Sequence, residues 1–448
     1  MTVAKSMISV ESGNKDRASR FKRNIVNPFA LFLVWAPLAL FLVGEVITRS
    51  VAAYLANTRP EIAIQLRSTN PKALLNLAEA ELKRHQADSS APAKLDPEAR
   101  TQIRSWAELA LRNDPLNARA LRILGQLSGL DSDEQKTKHF MRTASRRSLR
   151  ESIAVYWMTR NSYENGDYHA ATRYADILLR TRPDIAEHVL WILGKIAEYE
   201  TASGDLEQLL AANPPWRPQF FSRLPANISD ARTPLEVLLS LKDSPAPPTA
   251  ADLKSYLNFL ISKGFQELAY YVWLQFLPGE QLGKVGLLFN GDFEVVPSGL
   301  PFDWTFTQGP GVTIKIGERP DEDGGHALDL EFGAGRVALL GIVQLVVLAP
   351  GNYRFQGKTN VDVVSQRGLR WRITCAGKEA IQIAESPMVQ GSSAVWQDFS
   401  FSFTVPETDC PAQRIRLVFD ARSASEQFIS GSIWYDDLQI VREPARNP

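Results

Sequence analysis

Asn290-Gly291-Asp292-Phe293-Glu294 marks the place where the chain changes character. Before it, apolar residues recur at helical spacing. From Gly286 onward they alternate, as in Tyr353-Arg354-Phe355-Gln356, Leu369-Arg370-Trp371-Arg372-Ile373 and Ile415-Arg416-Leu417-Val418-Phe419. Trp396-Gln397-Asp398-Phe399-Ser400-Phe401-Ser402-Phe403 repeats the pattern with phenylalanines two apart. A period of two places one set of side chains in a core and the other in water. Pro350-Gly351-Asn352, Gln366-Arg367-Gly368 and Asp323-Gly324-Gly325 supply turns between the runs. Several short strands at such intervals predict an all-β sandwich or barrel over 286–442.

Asn290-Gly291-Asp292-Phe293-Glu294, with Phe302-Asp303-Trp304 after it, resembles the opening of a galactose-binding-like jelly roll, and more closely that of carbohydrate-binding modules of the family 4/9/22 type. Gln344 with Ala349-Pro350-Gly351-Asn352-Tyr353-Arg354-Phe355 is similar to the middle of that pattern. Trp396 ahead of Phe399, Phe401 and Phe403 also fits, and Ile433-Trp434-Tyr435-Asp436-Asp437-Leu438 is similar to its last strand. The resemblance spans about a third of the chain. It implies a sandwich that binds glycans through aromatic platforms or polar grooves. It also implies a structural calcium where first and last strands meet, held by Glu294 and Asp436 with Asp437 and backbone carbonyls. Calcium takes about six to eight oxygen ligands, so the competing reading makes these three ordinary strand-end carboxylates.

Trp371 shares its face with Leu369, Ile373 and Cys375, which makes it a core residue. Trp304, Trp396 and Trp434 are expected in structural roles as well. The opposite faces are basic and polar: Arg354, Gln356 and Lys358 on one strand, Arg370 and Arg372 on the next, Arg414 and Arg416 on a later one. If these strands share a sheet, they form one groove, and the planar guanidinium fork suits carboxylates and phosphates. The expected ligand is an anionic glycan carrying uronic acid or pyruvate. The competing reading is a solvated face.

At 448 residues, two or three domains are expected. Lysine plus arginine equals aspartate plus glutamate, 50 each, which argues against nucleic acid as the main partner. The asymmetry is local. Lys15, Arg17, Arg20, Lys22 and Arg23 precede an uncharged run from Asn24 to Gly44. That run is about the length a helix needs to cross a bilayer, and Pro37 within it is tolerable there. The positive-inside rule predicts a cytoplasmic tail over 1–23, a transmembrane helix over 24–48, and the bulk outside, in a bacterial periplasm. A cleaved signal peptide is disfavoured, because the nearest small-residue site, Ser50-Val51-Ala52, lies well past the apolar run. The only cysteines, Cys375 and Cys410, both fall in the β region. In an oxidising compartment such a pair suggests a disulfide, and two separate thiols are the alternative.

Residues 57–218 are rich in Ala, Leu, Arg and Glu at helical spacing. Asp114-Pro115 and Arg182-Pro183 stand two 34-residue periods apart. Gly166-Asp167-Tyr168 with Ala171, Ala175 and Leu178 is similar to a tetratricopeptide repeat, degenerate because Val155 and Thr159 occupy its usual aromatic and glycine positions. Three to five repeats are expected, with Ala87–Pro97 as an insertion. The resemblance implies a concave surface for partner proteins, and a plain spacer is the alternative. Over 219–285, Ser244-Pro245-Ala246-Pro247-Pro248 reads as a stiff linker into two helices split by Gly264.

His85, His139, His169, His188 and His326 show no metal-ligand spacing, and no nucleophile elbow, phosphate loop or dinucleotide fingerprint is present. Asp436-Asp437 cannot face each other across a cleft as a glycosidase pair must. The sequence therefore predicts a multidomain protein with a single transmembrane helix, an all-α tetratricopeptide-like arm and an all-β jelly-roll sandwich. Its expected role is a non-enzymatic scaffold in cell-envelope or exopolysaccharide assembly or export. A protein scaffold without sugar binding is the alternative, and a glycosidase the remoter one.

Overall fold

The computed structural model describes residues 28–87, 95–319, 324–333, 335–377, 381–393 and 395–444. The N-terminal basic cluster, most of the Ala87–Pro97 insertion and the first residue of the Asp323-Gly324-Gly325 turn signal lie outside the described residues. Within them the chain is multidomain, with fifteen α-helices followed by two antiparallel sheets. Contacts divide it into two compact units, Met1–Ser148 and Leu149–Pro448.

In the first unit, α1 (Pro28–Thr58) contains a stretch, Trp35–Thr58, long and apolar enough to cross a membrane, with mean hydropathy 1.6. The helix runs past the end of the uncharged sequence at Gly44. Glu45 and Arg49, one turn apart, pair at 2.8 Å and carry it onward. Then come α2 (Pro60–Leu66), α3 (Pro71–Ala87), α4 (Pro97–Asn113), α5 (Ala118–Leu130) and α6 (Glu134–Arg147). The Asn117 and Asp133 side chains accept the backbone N–H groups of Ala120 and Lys136, so α5 and α6 start where their caps stand. Leu75, Ile103, Ala107, Ile123 and Leu127 fill the core. Gly125 lets α6 approach, since a Cβ there would lie 3.1 Å from Met141.

The second unit begins with α7 (Ser152–Glu164), α8 (Tyr168–Thr181), α9 (Ala186–Ala197), α10 (Glu200–Ala211), α11 (Arg217–Asn227) and α12 (Thr233–Ser240). The helices α13 (Ala250–Ser262), α14 (Gln266–Gln275) and α15 (Gly279–Leu282) follow. α5, α7 and α9 begin at 118, 152 and 186, a spacing of 34 residues. Gly166 turns between α7 and α8 at φ +73°, Asp167 caps α8, and Ala171 and Ala175 are wholly buried. The proline-rich segment before α13 is no free linker. Buried Arg217 donates to the carbonyls of Ala246 and Pro247 at 2.8 and 3.2 Å and pairs with buried Asp252 at 3.0 Å.

The strands are β1 (Thr305–Thr307), β2 (Val312–Glu318), β3 (His326–Phe332), β4 (Gly341–Val346), β5 (Gly351–Ser365), β6 (Leu369–Cys375) and β7 (Gln382–Glu385), then β8 (Gly391–Ser392), β9 (Gln397–Val405), β10 (Gln413–Phe419) and β11 (Ile429–Arg442). One sheet runs β1-β4-β10-β6-β7. The other runs β2-β3-β11-β5, with β8 and β9 both pairing to β5. The strands cross repeatedly between sheets, giving a jelly-roll sandwich whose core includes Trp304, Trp371, Phe355, Ile433 and Tyr435.

The opening motif works as a clasp. Asn290 and Phe293 take positive φ, 53° and 52°. The Asn290 side chain bonds both backbone groups of Val295, and Trp304 Nε1 donates to the Asn290 carbonyl at 2.9 Å. The Leu438 N–H donates to the Gly291 carbonyl at 2.9 Å, joining the first segment to the last strand. Only glycine fits position 291, because a Cβ would overlap the Leu438 carbonyl oxygen. The helices of the second unit are fused to this domain rather than strung before it. Trp273 of α14 packs edge-on against Phe289, 5.1 Å between centroids, within one core that also holds Phe302, Leu345, Ala376 and Ala412.

Candidate functional site

The seven basic and polar residues expected to form one groove occupy two different surfaces. Arg354, Gln356 and Lys358 stand on β5, on the outer face of the second sheet. Arg370 and Arg372 on β6, with Arg414 and Arg416 on β10, stand on the outer face of the first. The expectation of a single basic groove is corrected on this point: the chain changes sheet between β5 and β6.

The β6 arginines are also matched by acids. Arg370 pairs with Glu385 at 2.5 Å and Asp420 at 3.5 Å, and Arg372 reaches the same two at 3.5 and 3.7 Å. Arg416 donates to the Leu340 carbonyl at 2.6 Å. On β5, Arg354 pairs with Glu443 at 2.9 Å. Ion pairs of this kind fix side chains and leave little net field for an anionic ligand.

A groove of about 540 Å³ runs along β5 and β9 on the outer face of the second sheet, walled by Gln356, Lys358, Asp398, Ser400, Asp437 and Gln439, with Phe399 beside them. Cross-strand register builds it: Gln356 faces Ser400 on β9 and Gln439 on β11, and Lys358 faces Asp398 and Asp436. A bulge between Asp436 and Gln439, with Asp437 at φ +51°, turns Asp437 toward Lys358, and the two pair at 2.8 Å. That bond holds the lysine ammonium above its ordinary pKa. Gly357 gives the bulge room, since a Cβ there would lie 3.1 Å from the Asp436 carbonyl oxygen and press on the Leu438 side chain. The side chains of Gln356, Asp398, Ser400 and Gln439 make no hydrogen bond among the described residues. The groove thus presents two amides, a hydroxyl and a carboxylate with their donors and acceptors unspent.

The carboxylates proposed for calcium do not converge. Glu294 accepts from the backbone N–H of His326 at 2.8 Å and lies 3.0 Å from its ring. Those contacts hold its carboxyl below the usual range. Asp436 is buried and paired with Arg319 at 2.7 Å, and burial pushes its carboxyl up to about 6. Asp437 is engaged by Lys358. Among the described residues no three His, Cys, Asp or Glu side chains gather as a metal site. A divalent cation would have to displace His326 from Glu294, Arg319 from Asp436 and Lys358 from Asp437, so this donor set does not fit calcium.

The aromatic expectations divide. Trp304 and Trp371 are fully buried. Trp434 points outward from β11, half-buried over Gly317, whose missing Cβ makes room for the indole edge. Trp396 is half-buried under the Arg319 guanidinium, 4.7 Å from ring centre to carbon. Cys375 and Cys410 form a disulfide across 35 residues.

No protein-family model matches the chain, and no curated protein matches it significantly. Solved structures aligned to the β region include one described as "CBM4 structure and function", at 15% identity and TM-score 0.27, over 35% of this chain and 99% of that one. Another is a "Family 16 Carbohydrate Binding Module-2", at 17% identity and TM-score 0.26, over 35% and 100%. A third is the CBM22-1 xylan-binding domain from Paenibacillus barcinonensis Xyn10C, at 14% identity and TM-score 0.24, over 32% and 87%. The jelly roll follows from the strand pairing of the two sheets themselves.

Proposed function

We propose that this chain is a membrane-anchored, non-enzymatic protein that binds glycan with its sandwich and partner proteins with its helices, in cell-envelope or exopolysaccharide assembly or export. One observation carries the reading: the groove along β5 and β9 offers unspent amides, a hydroxyl and a carboxylate on a rigid sheet. Its volume falls within the roughly 300–1,000 Å³ usual for ligand clefts. Sugar hydroxyls donate and accept together, and such a mixed lining matches them better than a cation-rich one. The apolar α1 supports an anchor, and the basic residues before it support an N-terminus in the cytoplasm with the bulk in the periplasm. Asp436 and Asp437 are each tied to a cation, which disfavours a glycosidase.

The experiment titrates the full chain in detergent with neutral and acidic polysaccharides, with calcium and with chelator, beside the Q356A/Q439A double variant. Binding that drops about tenfold or more in the variant supports the reading, since each lost hydrogen bond contributes about 0.5–1.5 kcal/mol. Neutral-polysaccharide binding indifferent to the variant, or no binding of any polysaccharide, sinks it.

A second reading rests on the helices. The 34-residue spacing and small buried residues support tetratricopeptide-like hairpins. Tyr163 meets Trp191 edge-on at 6.2 Å, and Tyr168 stacks on Tyr199 at 4.9 Å. Trp191 and Tyr199 remain more than two-fifths exposed, and an exposed aromatic cluster of this kind suits a protein partner. If no glycan binds, this surface becomes the main function and the protein a scaffold.

A further inference from the structure

A second groove, of about 820 Å³, lies where the turn between α13 and α14 meets the ends of β6 and β10. We propose that it is a separate binding site for an acidic sugar residue, one carrying a carboxylate among ring hydroxyls. The proposal rests on the glycan-binding reading and adds a ligand class to it.

Gln266 supplies the first argument. It is 5% exposed, lines the groove, and donates through Nε2 to the Ala376 carbonyl at 3.1 Å. Its Oε1 has no hydrogen-bond partner among the described residues. A buried acceptor left unmatched costs about 1–3 kcal/mol, and a ligand hydroxyl would match it. The Ser262 hydroxyl, which donates to the Phe259 carbonyl at 2.7 Å, keeps its lone pairs for a ligand. Asp409, at φ +60°, adds a carboxylate with no partner among the described residues.

Two cations stand beside these three acceptors. The Arg414 guanidinium makes no ion pair among the described residues, unlike the β6 arginines. Lys263 lies over the Phe259 ring at 5.8 Å. Acceptors call for a ligand rich in O–H donors, and the cations call for one anionic group. A uronic-acid-type residue has both. An acidic peptide offers few donors and would set its own carboxylates against Asp409.

The walls are held in place. Cys375 precedes Ala376 and Gly377 on one side, Cys410 stands between Asp409 and Pro411 on the other, and the disulfide joins them. The Ala376 N–H donates to the Ala412 carbonyl at 2.7 Å. A site pre-organised this way loses little entropy when it binds.

The test uses the full chain in detergent, titrated calorimetrically with tri-galacturonate, galactotriose and hexaglutamate. Tri-galacturonate should bind, and R414E, an exposed change that leaves the core alone, should weaken it at least about tenfold, the scale of one charged hydrogen bond. K263E should weaken it less. Equal binding by R414E overturns the proposal, as does no tri-galacturonate binding by the wild type. Hexaglutamate binding alone, lost in R414E, assigns the groove to peptide and also overturns it. If Q356A/Q439A abolishes tri-galacturonate binding, the uronate sits in the β5–β9 groove and this proposal fails while the glycan reading stands.

Discussion

Replacing Arg217 with methionine should loosen the helical half of the second unit more than any other single change there. The guanidinium is 2% exposed and its partner Asp252 3%. It donates to the carbonyls of Leu210, Ala246 and Pro247 as well as to Asp252, so one side chain ties α10, the proline-rich segment and α13 together. Methionine keeps most of the volume but strands a buried carboxylate and three carbonyls. Removing one partner of a buried pair costs about 3–5 kcal/mol. Asp252 still accepts two bonds, from the Thr249 N–H and the Thr249 hydroxyl, so the lower end, about 3 kcal/mol, is expected. A chain of several domains does not unfold in one step, so the readout is local hydrogen exchange over 244–262. Three kilocalories correspond to exchange on the order of a hundredfold faster. R217M/D252N, which removes the stranded charge while leaving an oxygen for Thr249, should recover about half of the loss. An R217M effect below about fivefold, or a double variant no better than the single, would refute the claim that the buried charge dominates.

Removing the disulfide with C375A/C410A should lower the stability of the sandwich by about 4 kcal/mol, from the loop entropy of a 35-residue separation; an unchanged urea midpoint for the sandwich would contradict this. Gly291→Ala should cost at least about 2 kcal/mol, because a Cβ overlaps the Leu438 carbonyl and the clasp to β11 must open; a normal melting temperature would contradict it. Burial raises the Asp436 carboxyl to about 6 from an ordinary 3.8. Between those values the native chain holds more protons than the unfolded one, so this group's contribution falls as pH rises, by up to about 3 kcal/mol between pH 4 and 6. D436N should flatten that part of the stability–pH curve, and an unchanged slope would show that the carboxyl titrates alike in both states.

The strands were legible because burial imposes a period. Leu369, Trp371, Ile373 and Cys375 alternate in sequence and are all fully buried. The two helices around Gly264 were legible from apolar spacing, and Gly264 does take φ +87°. Sheet membership was not legible. Alternation reads the same whichever sheet a strand joins, so Arg354 and Arg370 looked like neighbours when they stand on opposite outer faces. Nor were the partners of the charges: Arg370 meets Asp420, fifty residues on, and Asp436 meets Arg319, more than a hundred back. Asp436 and Glu294 looked free to bind a metal only because those long-range contacts leave no local trace. The orphaned Gln266 acceptor, on a helix assigned to a separate segment, carried no local signal.

What separates the two outer faces is how their polar groups are spent, not how many cations they carry. An anion approaching Arg370 or Arg372 must compete with Glu385 and Asp420, which are already in place and share the same desolvation. The gain is then only the difference between two carboxylates, close to zero. A sugar entering the β5–β9 groove displaces water from Gln356, Ser400 and Gln439 and breaks no bond within the protein. The same comparison distinguishes Arg414 from the β6 arginines: with no acid paired to it among the described residues, it gains a charge-assisted bond on binding. Recognition on this sandwich therefore belongs where side chains lack partners, and for that reason the basic stripe most visible in the sequence is its least available surface.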